Sequence, residues 1–353
     1  MVPLDGSSSS PRAPDPARGR RLGRVVLRVA ISAIVLVALF HFVSWRTVDA
    51  ALKSVPLATF ALVVAGFLAS HVLGTIKWRL VLRAAGARLK MRDALECYSA
   101  GIFSNLFLPS IVGGDVLRAL LAGRRSGRME AAVLGGAADR LLDVASLGAL
   151  ALGGGLLLGS HDPRATHTLI VLAMALGVVL LLALAPLLVR RPLKKWPPKL
   201  RRRVALVLIA LRRQRRSPGL LVLAFLASFA IQASLTLLNV PIGKALGIEA
   251  PLSAWFFAWA LSKIVSLLPV SFNGFGVRDA AFTAIFAPLM TNALDLDGRR
   301  GLALASSLVW QATLLVSSLL AGAAWGWLRR ARAPAGELGE SGEAPDSRVA
   351  RHA

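Results

Sequence analysis

Cysteine and tyrosine each occur once in these 353 residues, and acidic side chains number only 18. A single thiol, Cys97, excludes a disulfide framework and any cysteine-based zinc or iron–sulfur centre. With one tyrosine and no basic stretch interleaved with aromatics, nothing is offered for stacking bases. Charged residues make up only 17% of the chain. A soluble domain carries about 25%, so there is too little polar surface here to coat a large water-exposed body. What the chain does have is 56% hydrophobic residues and 42 Lys and Arg, for a net charge of +24. Mean hydropathy is +0.64. Strong basicity ordinarily points to nucleic acid. Basicity and hydrophobicity reconcile if the cations occupy short loops between long apolar runs. A soluble enzyme, a secreted scaffold and a nucleic-acid domain all fit poorly. The expected class is all-α integral membrane.

A crossing helix needs roughly 20 largely apolar residues for about 30 Å of hydrocarbon. Leu57–Ile76, Thr168–Val189, Gly219–Gly243 and Gly301–Leu328 meet that length without an Asp, Glu, Lys or Arg. Val25–Val43 meets it apart from Arg28, near one end where it can snorkel. The pattern predicts about eight spans, at 25–43, 57–76, 139–160, 168–189, 219–240, 252–271, 277–291 and 301–328. The apolar stretch Ala94–Val112 is broken by Pro109 and Gly113–Gly114 and is expected to be re-entrant or half-helical rather than a further crossing. Under this topology the basic segments Arg12–Arg28, Lys77–Arg92, Arg118–Arg128, Arg190–Arg216 and Arg329–Arg332 share one side. The positive-inside rule makes that side cytoplasmic. Both termini are then cytoplasmic, in a cytoplasmic or inner membrane.

Residues 1–24 (Ser-, Pro- and Arg-rich) and 331–353 read as disordered tails around a membrane domain at 25–330. The first apolar run lacks a small-x-small cleavage site and is not expected to be a signal peptide. No soluble catalytic domain is expected at either end. The run Val204–Leu211 between basic clusters reads as a surface helix on anionic headgroups.

Ionisable residues at membrane depth are costly and mark functional sites by default. Four places qualify: Ser104-Asn105 to Pro109 with Gly113-Gly114-Asp115 and Arg118; Asp139-Arg140 with Asp143; Lys263; and Pro269 with Asn273-Gly274, Gly276, Arg278 and Asp279. The first and last are alike. Each has Leu-Pro, a Gly five positions on (Gly114, Gly274) and an Arg nine positions on (Arg118, Arg278). Paired Gly/Pro-interrupted segments point to a transporter site on broken helices and to a probable internal repeat. The glycines let the chain turn sharply, and a helix can restart with Asp115 or Asn273 as cap. The free N–H groups there attract anions. An Arg in that first turn opposes the helix dipole unless an anion such as a lipid phosphate sits between.

Bland readings stand beside these. Arg118 and Arg278 could simply snorkel, and Ser104 and Asn105 could make interhelical hydrogen bonds. Asp139 and Asp143, four apart on one helix face, are either a self-neutralised cluster with Arg140 or a headgroup contact or proton relay. Lys263 either pairs with one of these acids or adds positive charge to a cavity. His41 and His71 read as satisfied membrane histidines. No His, Asp and Glu spacing makes a metal site, and no cofactor is expected. Asp295-Leu296-Asp297 is a D-x-D of the kind used by membrane glycosyltransferases, but the match is three residues long. No nucleophile elbow is present.

Taken in order, Ser104-Asn105, Pro109, Gly113-Gly114-Asp115, Arg118, Asp139-Arg140, Asp143 and Asn273-Gly274-Phe275-Gly276-Val277-Arg278-Asp279 resemble the signature of the lysylphosphatidylglycerol synthase transmembrane family, a flippase-like group. Lys77-Trp78-Arg79 resembles its basic-aromatic turn. The resemblance covers about residues 25–330. Asp279 departs from it, since the family commonly has Glu there. In the multiple peptide resistance factor this membrane unit moves aminoacylated phosphatidylglycerol between leaflets, and a separate soluble domain performs aminoacyl transfer. The resemblance therefore implies a stand-alone, non-enzymatic translocase of an anionic or zwitterionic phospholipid. Its partners would be membrane lipids and a lipid-biosynthetic enzyme, with no nucleic acid. The alternative is a membrane enzyme or accessory subunit for lipid-linked glycosyl or aminoacyl transfer.

Overall fold

In the computed structural model, the described residues are 53–107, 111–158, 216–266 and 276–331. The expected spans 25–43 and 168–189, both tails, His41, the Val204–Leu211 helix, Pro109, Pro269, Asn273 and Gly274 lie outside them. Among the described residues the regular structure is entirely helical.

Helix α1 (Leu57–Ala85) buries Phe67, Ser70, Gly74, Trp78 and Val81 along one stripe, three to four residues apart. It ends where Gly86 turns left-handed at φ 102°. The Gly86 N–H bonds the Arg83 carbonyl and the Ala87 N–H bonds Leu82, which satisfies the last orphan carbonyls. Helices α2 (Met91–Ser104) and α3 (Ile111–Ser126) form an antiparallel hairpin. Gly114 permits its close approach, because a Cβ there would lie 2.3 Å from the Gly101 carbonyl oxygen. Helix α4 (Met129–Leu157) packs along α1 and α3 on one side and α7 on the other. Helix α5 (Pro218–Leu237) opens with Pro at its first position and continues into α6 (Asn239–Ala245).

Helix α7 (Leu252–Val265) and helix α8 (Val277–Phe286, with a 3₁₀ turn Ala287–Leu289) lie side by side. Helix α9 (Leu296–Arg330) starts at Asp295, whose side chain accepts the Gly298 N–H at 2.9 Å. An aromatic core joins these elements: Trp259 meets Trp310 edge-on at 5.0 Å, and Phe282 stacks on Phe286 at 4.8 Å. Phe67 of α1 meets Trp310 at 5.7 Å, so the core reaches the first helix.

Among the described residues four helices are long and apolar enough to cross a membrane: Leu57–Ala85, Met129–Leu157, Pro218–Ala245 and Leu296–Arg330. Leu62, Val72, Leu73, Val222, Leu226, Leu315 and Leu319 are exposed along three of them. Apolar surface of that extent suits lipid and would aggregate in water.

Two of the expected spans are described only in part. The segments 252–271 and 277–291 contain helices of 14 and 10 residues. These are about 21 and 15 Å long at 1.5 Å per residue, short of the hydrocarbon core. They also begin and end at one level. Trp255 near the start of α7 meets Phe286 at the end of α8 at 4.3 Å, and the Thr291 N–H bonds the Glu249 carbonyl. The stretch Ala94–Val112 is likewise a helix, a break and a second helix.

The contacts sort the helix ends into two groups. Arg128 before α4 bonds the Gly86 carbonyl after α1, Arg125 ending α3 meets Asp93 starting α2, and Arg92 reaches Leu328 ending α9. At the opposite end Gly66 of α1 touches Leu238, and Gly154 of α4 lies against Ser253 and Phe257 of α7. The first end gathers Arg83, Arg88, Arg92, Arg124, Arg125, Arg128, Arg329 and Arg330. The second has Lys244, Arg299 and Arg300, with Glu249, Asp295 and Asp297 beside them. Hairpin α2–α3 enters from the basic end and α7–α8 from the other.

Candidate functional site

Between the two hairpins lies a cavity of about 260 Å³. Its charged lining is Lys77, Asp115, Arg118, Arg140, Asp143, Lys263 and Arg278. Asp139 and Asp279 stand directly behind, 1% and 5% exposed. Each charged group is delivered by the helix pattern. Ser70, Gly74 and Lys77 share one face of α1 at i, i+4 and i+7, and Asp139 and Asp143 share one face of α4.

The charges divide into two halves. On one side Lys77 Nζ lies 2.9 Å from Asp139 and donates to Asp143 at 2.6 Å. Arg118 donates to Asp139 at 2.8 Å and lies 3.2 Å from Asp115. Arg140 donates to the other Asp115 oxygen. Ser228 of α5 adds hydrogen bonds to both Lys77 and Asp143. Three cations thus face three carboxylates. The Arg118 guanidinium also stacks between Trp78 and Tyr98, 5.1 and 4.9 Å from their ring centres.

The other half is positive. Arg278 donates to Asp279 at 2.9 Å. Asp279 is further held by the Gly276 N–H, Ser307 and Gln311. Gly276 stands at φ 83° in the left-handed region, so the turn into α8 and the carboxylate that caps it are one unit. Lys263 donates to Gln232 at 2.8 Å and has no carboxylate partner among the described residues. Lys263 and Arg278 both sit over the Trp259 ring, at 5.9 and 5.4 Å. The buried Arg278 Nε has no hydrogen-bond partner among the described residues. Two cations therefore face one carboxylate, which is already saturated with donors. A buried positive excess with an unpaired donor is set up to receive an anion.

The sequence-derived residues fall into place unevenly. Arg118, Asp115, Arg140, Asp143, Lys263, Arg278 and Asn105 share the cavity wall. Asp115 is not the cap of α3, as expected from the sequence. The helix begins at Ile111, so Asp115 lies in its second turn as an ion-pair partner. Asn105 takes the capping part instead, accepting the Gly114 N–H at 3.0 Å. Arg118 accordingly lies two turns into its helix, whereas Arg278 is in the first turn of α8. Ser104 bonds the Gly101 carbonyl of its own helix rather than a neighbour. Gly113, half-buried, is an early residue of α3 outside the cavity wall. Among the described residues Lys263 pairs with no acid.

Lys77 was expected in a basic loop. It is instead 2% exposed in the middle of the ion cluster, because α1 continues eight residues beyond it. Its face-sharing with Ser70 and Gly74 was the available signal. Tyr98, Ser228, Gln232 and Trp310 had none. The His71 Nδ1–H donates to the Phe67 carbonyl at 2.8 Å, and His71 also lines the cavity. Asp295 caps α9 and Asp297 pairs with Arg300 at 2.9 Å, so both carboxylates of the D-x-D have structural partners.

No curated protein matches the chain. Residues 25–322 match the family model of the lysylphosphatidylglycerol synthase transmembrane region, so the chain belongs to that family and is a multi-pass membrane protein with a role tied to membrane lipids.

Proposed function

We propose that the protein is a lipid translocase, which binds an anionic or zwitterionic phospholipid by its headgroup in the central cavity and carries it across the cytoplasmic membrane. The observation that carries the reading is the asymmetry of the cavity charges. A neutral cluster (Lys77, Arg118, Arg140 with Asp115, Asp139, Asp143) faces a positive corner (Lys263, Arg278 with Asp279). A lipid phosphate docks at the corner, on the unpaired Arg278 Nε and the Lys263 ammonium. Arg guanidinium suits it through its planar fork of donors. A headgroup amine, where present, faces Asp115 and Asp143. Arg118 is the second phosphate ligand once the lipid competes with Asp115 and Asp139 for its donors.

The two hairpins, entering from opposite ends, form the halves of an internal repeat, and alternating movement of one against the other opens the cavity to each leaflet. The basic end faces the cytoplasm by the positive-inside rule, with both termini there. The protein performs no covalent chemistry and needs no cofactor. A lipid-biosynthetic enzyme acting separately supplies its substrate.

Native mass spectrometry of protein extracted in mild detergent tests the binding. Wild type should retain a phospholipid, and the Arg278→Ala/Lys263→Met variant should lose it. Equal retention by both would remove the headgroup from this corner.

A further inference from the structure

The basic end of the bundle holds a second cavity, of about 660 Å³, walled by the end of α1 and the starts of α4 and α5. Arg83, Arg88, Arg128 and Arg216 line it together with Ser126 and Ser217, and among the described residues no carboxylate does. None of the four guanidinium groups has an ion-pair partner among the described residues. Nearby Arg125 is different: it pairs with Asp93 and Glu96, so acids at this end are placed selectively. All four are solvent-exposed, so water and salt screen much of their mutual repulsion, and no carboxylate among the described residues offsets the rest.

The recess is also shaped. Arg83 and Arg88 flank the left-handed turn at Gly86 that closes α1, which sets where their side chains begin. Arg128 spends one donor on the Gly86 carbonyl, at 2.9 Å, and keeps the remaining ones. Ser217 stands at the start of α5 without a capping hydrogen bond, leaving its hydroxyl as a further donor.

We infer that this recess binds a phosphate-bearing group carrying at least two negative charges, a phosphomonoester or a diphosphate, at a site separate from the central cavity. Guanidinium forks pair with phosphate oxygens two at a time, and several around one recess favour a polyanion over a single charge. Arg83 lies six residues beyond Lys77 on α1, about 9 Å along the helix. An occupant bridging Arg83 and Arg128 ties together the ends of α1 and α4, the two helices that supply Lys77, Asp139 and Asp143 to the central cluster. The group is supplied either by a lipid headgroup at the membrane surface or by a soluble phosphate compound.

The full chain in neutral detergent is titrated with inorganic pyrophosphate. In parallel it is reconstituted in phosphatidylcholine vesicles with and without phosphatidic acid, with binding and thermal midpoint read in each. Saturable binding should weaken on the order of 25-fold in Arg88→Gln/Arg128→Gln, at about fivefold per arginine. Arg329→Gln/Arg330→Gln, at the same end of the bundle, should leave it unchanged, and every titration is repeated in the Arg278→Ala/Lys263→Met background, where the central cavity does not contribute. Pyrophosphate binding without a response to phosphatidic acid assigns the site to a soluble phosphate, and the reverse assigns it to a headgroup. Three results overturn the site: no saturable binding of either probe; equal weakening by both double substitutions, which means diffuse attraction; or loss of all binding in the Arg278→Ala/Lys263→Met background, which means the central cavity.

Discussion

The Lys77 ammonium donates to the Asp143 carboxylate at 2.6 Å across 66 positions of sequence, and this contact pins α1 to α4 at the depth of the central cavity. The same ammonium lies 2.9 Å from Asp139, so one cation serves two acids. Removing it leaves buried negative charge.

Lys77→Met is therefore expected to cost about 3–5 kcal/mol, visible as a lower thermal midpoint in detergent. Asp143→Asn added to it should recover part of the loss, because Asp139 keeps Arg118 at 2.8 Å. A double variant melting no higher than Lys77→Met would show that the cluster is not coupled in this way.

Gly114→Ala should disrupt the α2–α3 hairpin. The new methyl would lie 2.2 Å from the Asn105 side-chain oxygen and 2.3 Å from the Gly101 carbonyl, and the latter is backbone. Gly153→Ala is the matched control, since nothing lies within 4 Å of its added carbon. Folded yield by size-exclusion chromatography should fall for the first and hold for the second.

Lys263→Met separates stability from function. Lys263 has no acid partner among the described residues to leave behind, so its removal relieves an unpaired positive charge in the cavity wall, and the thermal midpoint should hold or rise. Retention of anionic lipid should fall. A large drop in midpoint would mean that Lys263 has a structural counter-charge.

The single Cys97 is buried, which makes single-cysteine labelling direct. Asp297→Cys and Arg330→Cys lie at opposite ends of α9, both exposed. A membrane-impermeant maleimide added to intact cells should label the first and not the second, and in inside-out vesicles the reverse. Labelling of both from one side would contradict the crossing of α9.

The long helices were legible because uninterrupted apolar runs near 57–76, 219–240 and 301–328 have few alternatives to helix in lipid. The hairpins were legible only in part. The Gly and Pro breaks at 109–114 signalled a turn, whereas the described parts of 252–271 and 277–291 are helices of 14 and 10 residues, shorter than their apolar runs. Lys77 was misplaced because a cation at the end of an apolar run looks like a loop until its buried acids are known. The meeting of Arg118 and Arg278 at one cavity was anticipated by the likeness of their motifs. The engagement of Arg118 by Asp115 and Asp139, and the solitude of Lys263, depend on packing between distant helices and had no local signature.

Headgroup-labelled phospholipid translocation in liposomes reconstituted with the pure protein tests the central claim most directly. Wild type should move an anionic or zwitterionic phospholipid between leaflets, with Arg278→Ala reducing the rate at least tenfold, the equivalent of about 1.4 kcal/mol in the barrier, and Arg118→Ala also reducing it. Activity indifferent to both substitutions, or no movement of any phospholipid by folded wild type, would contradict it.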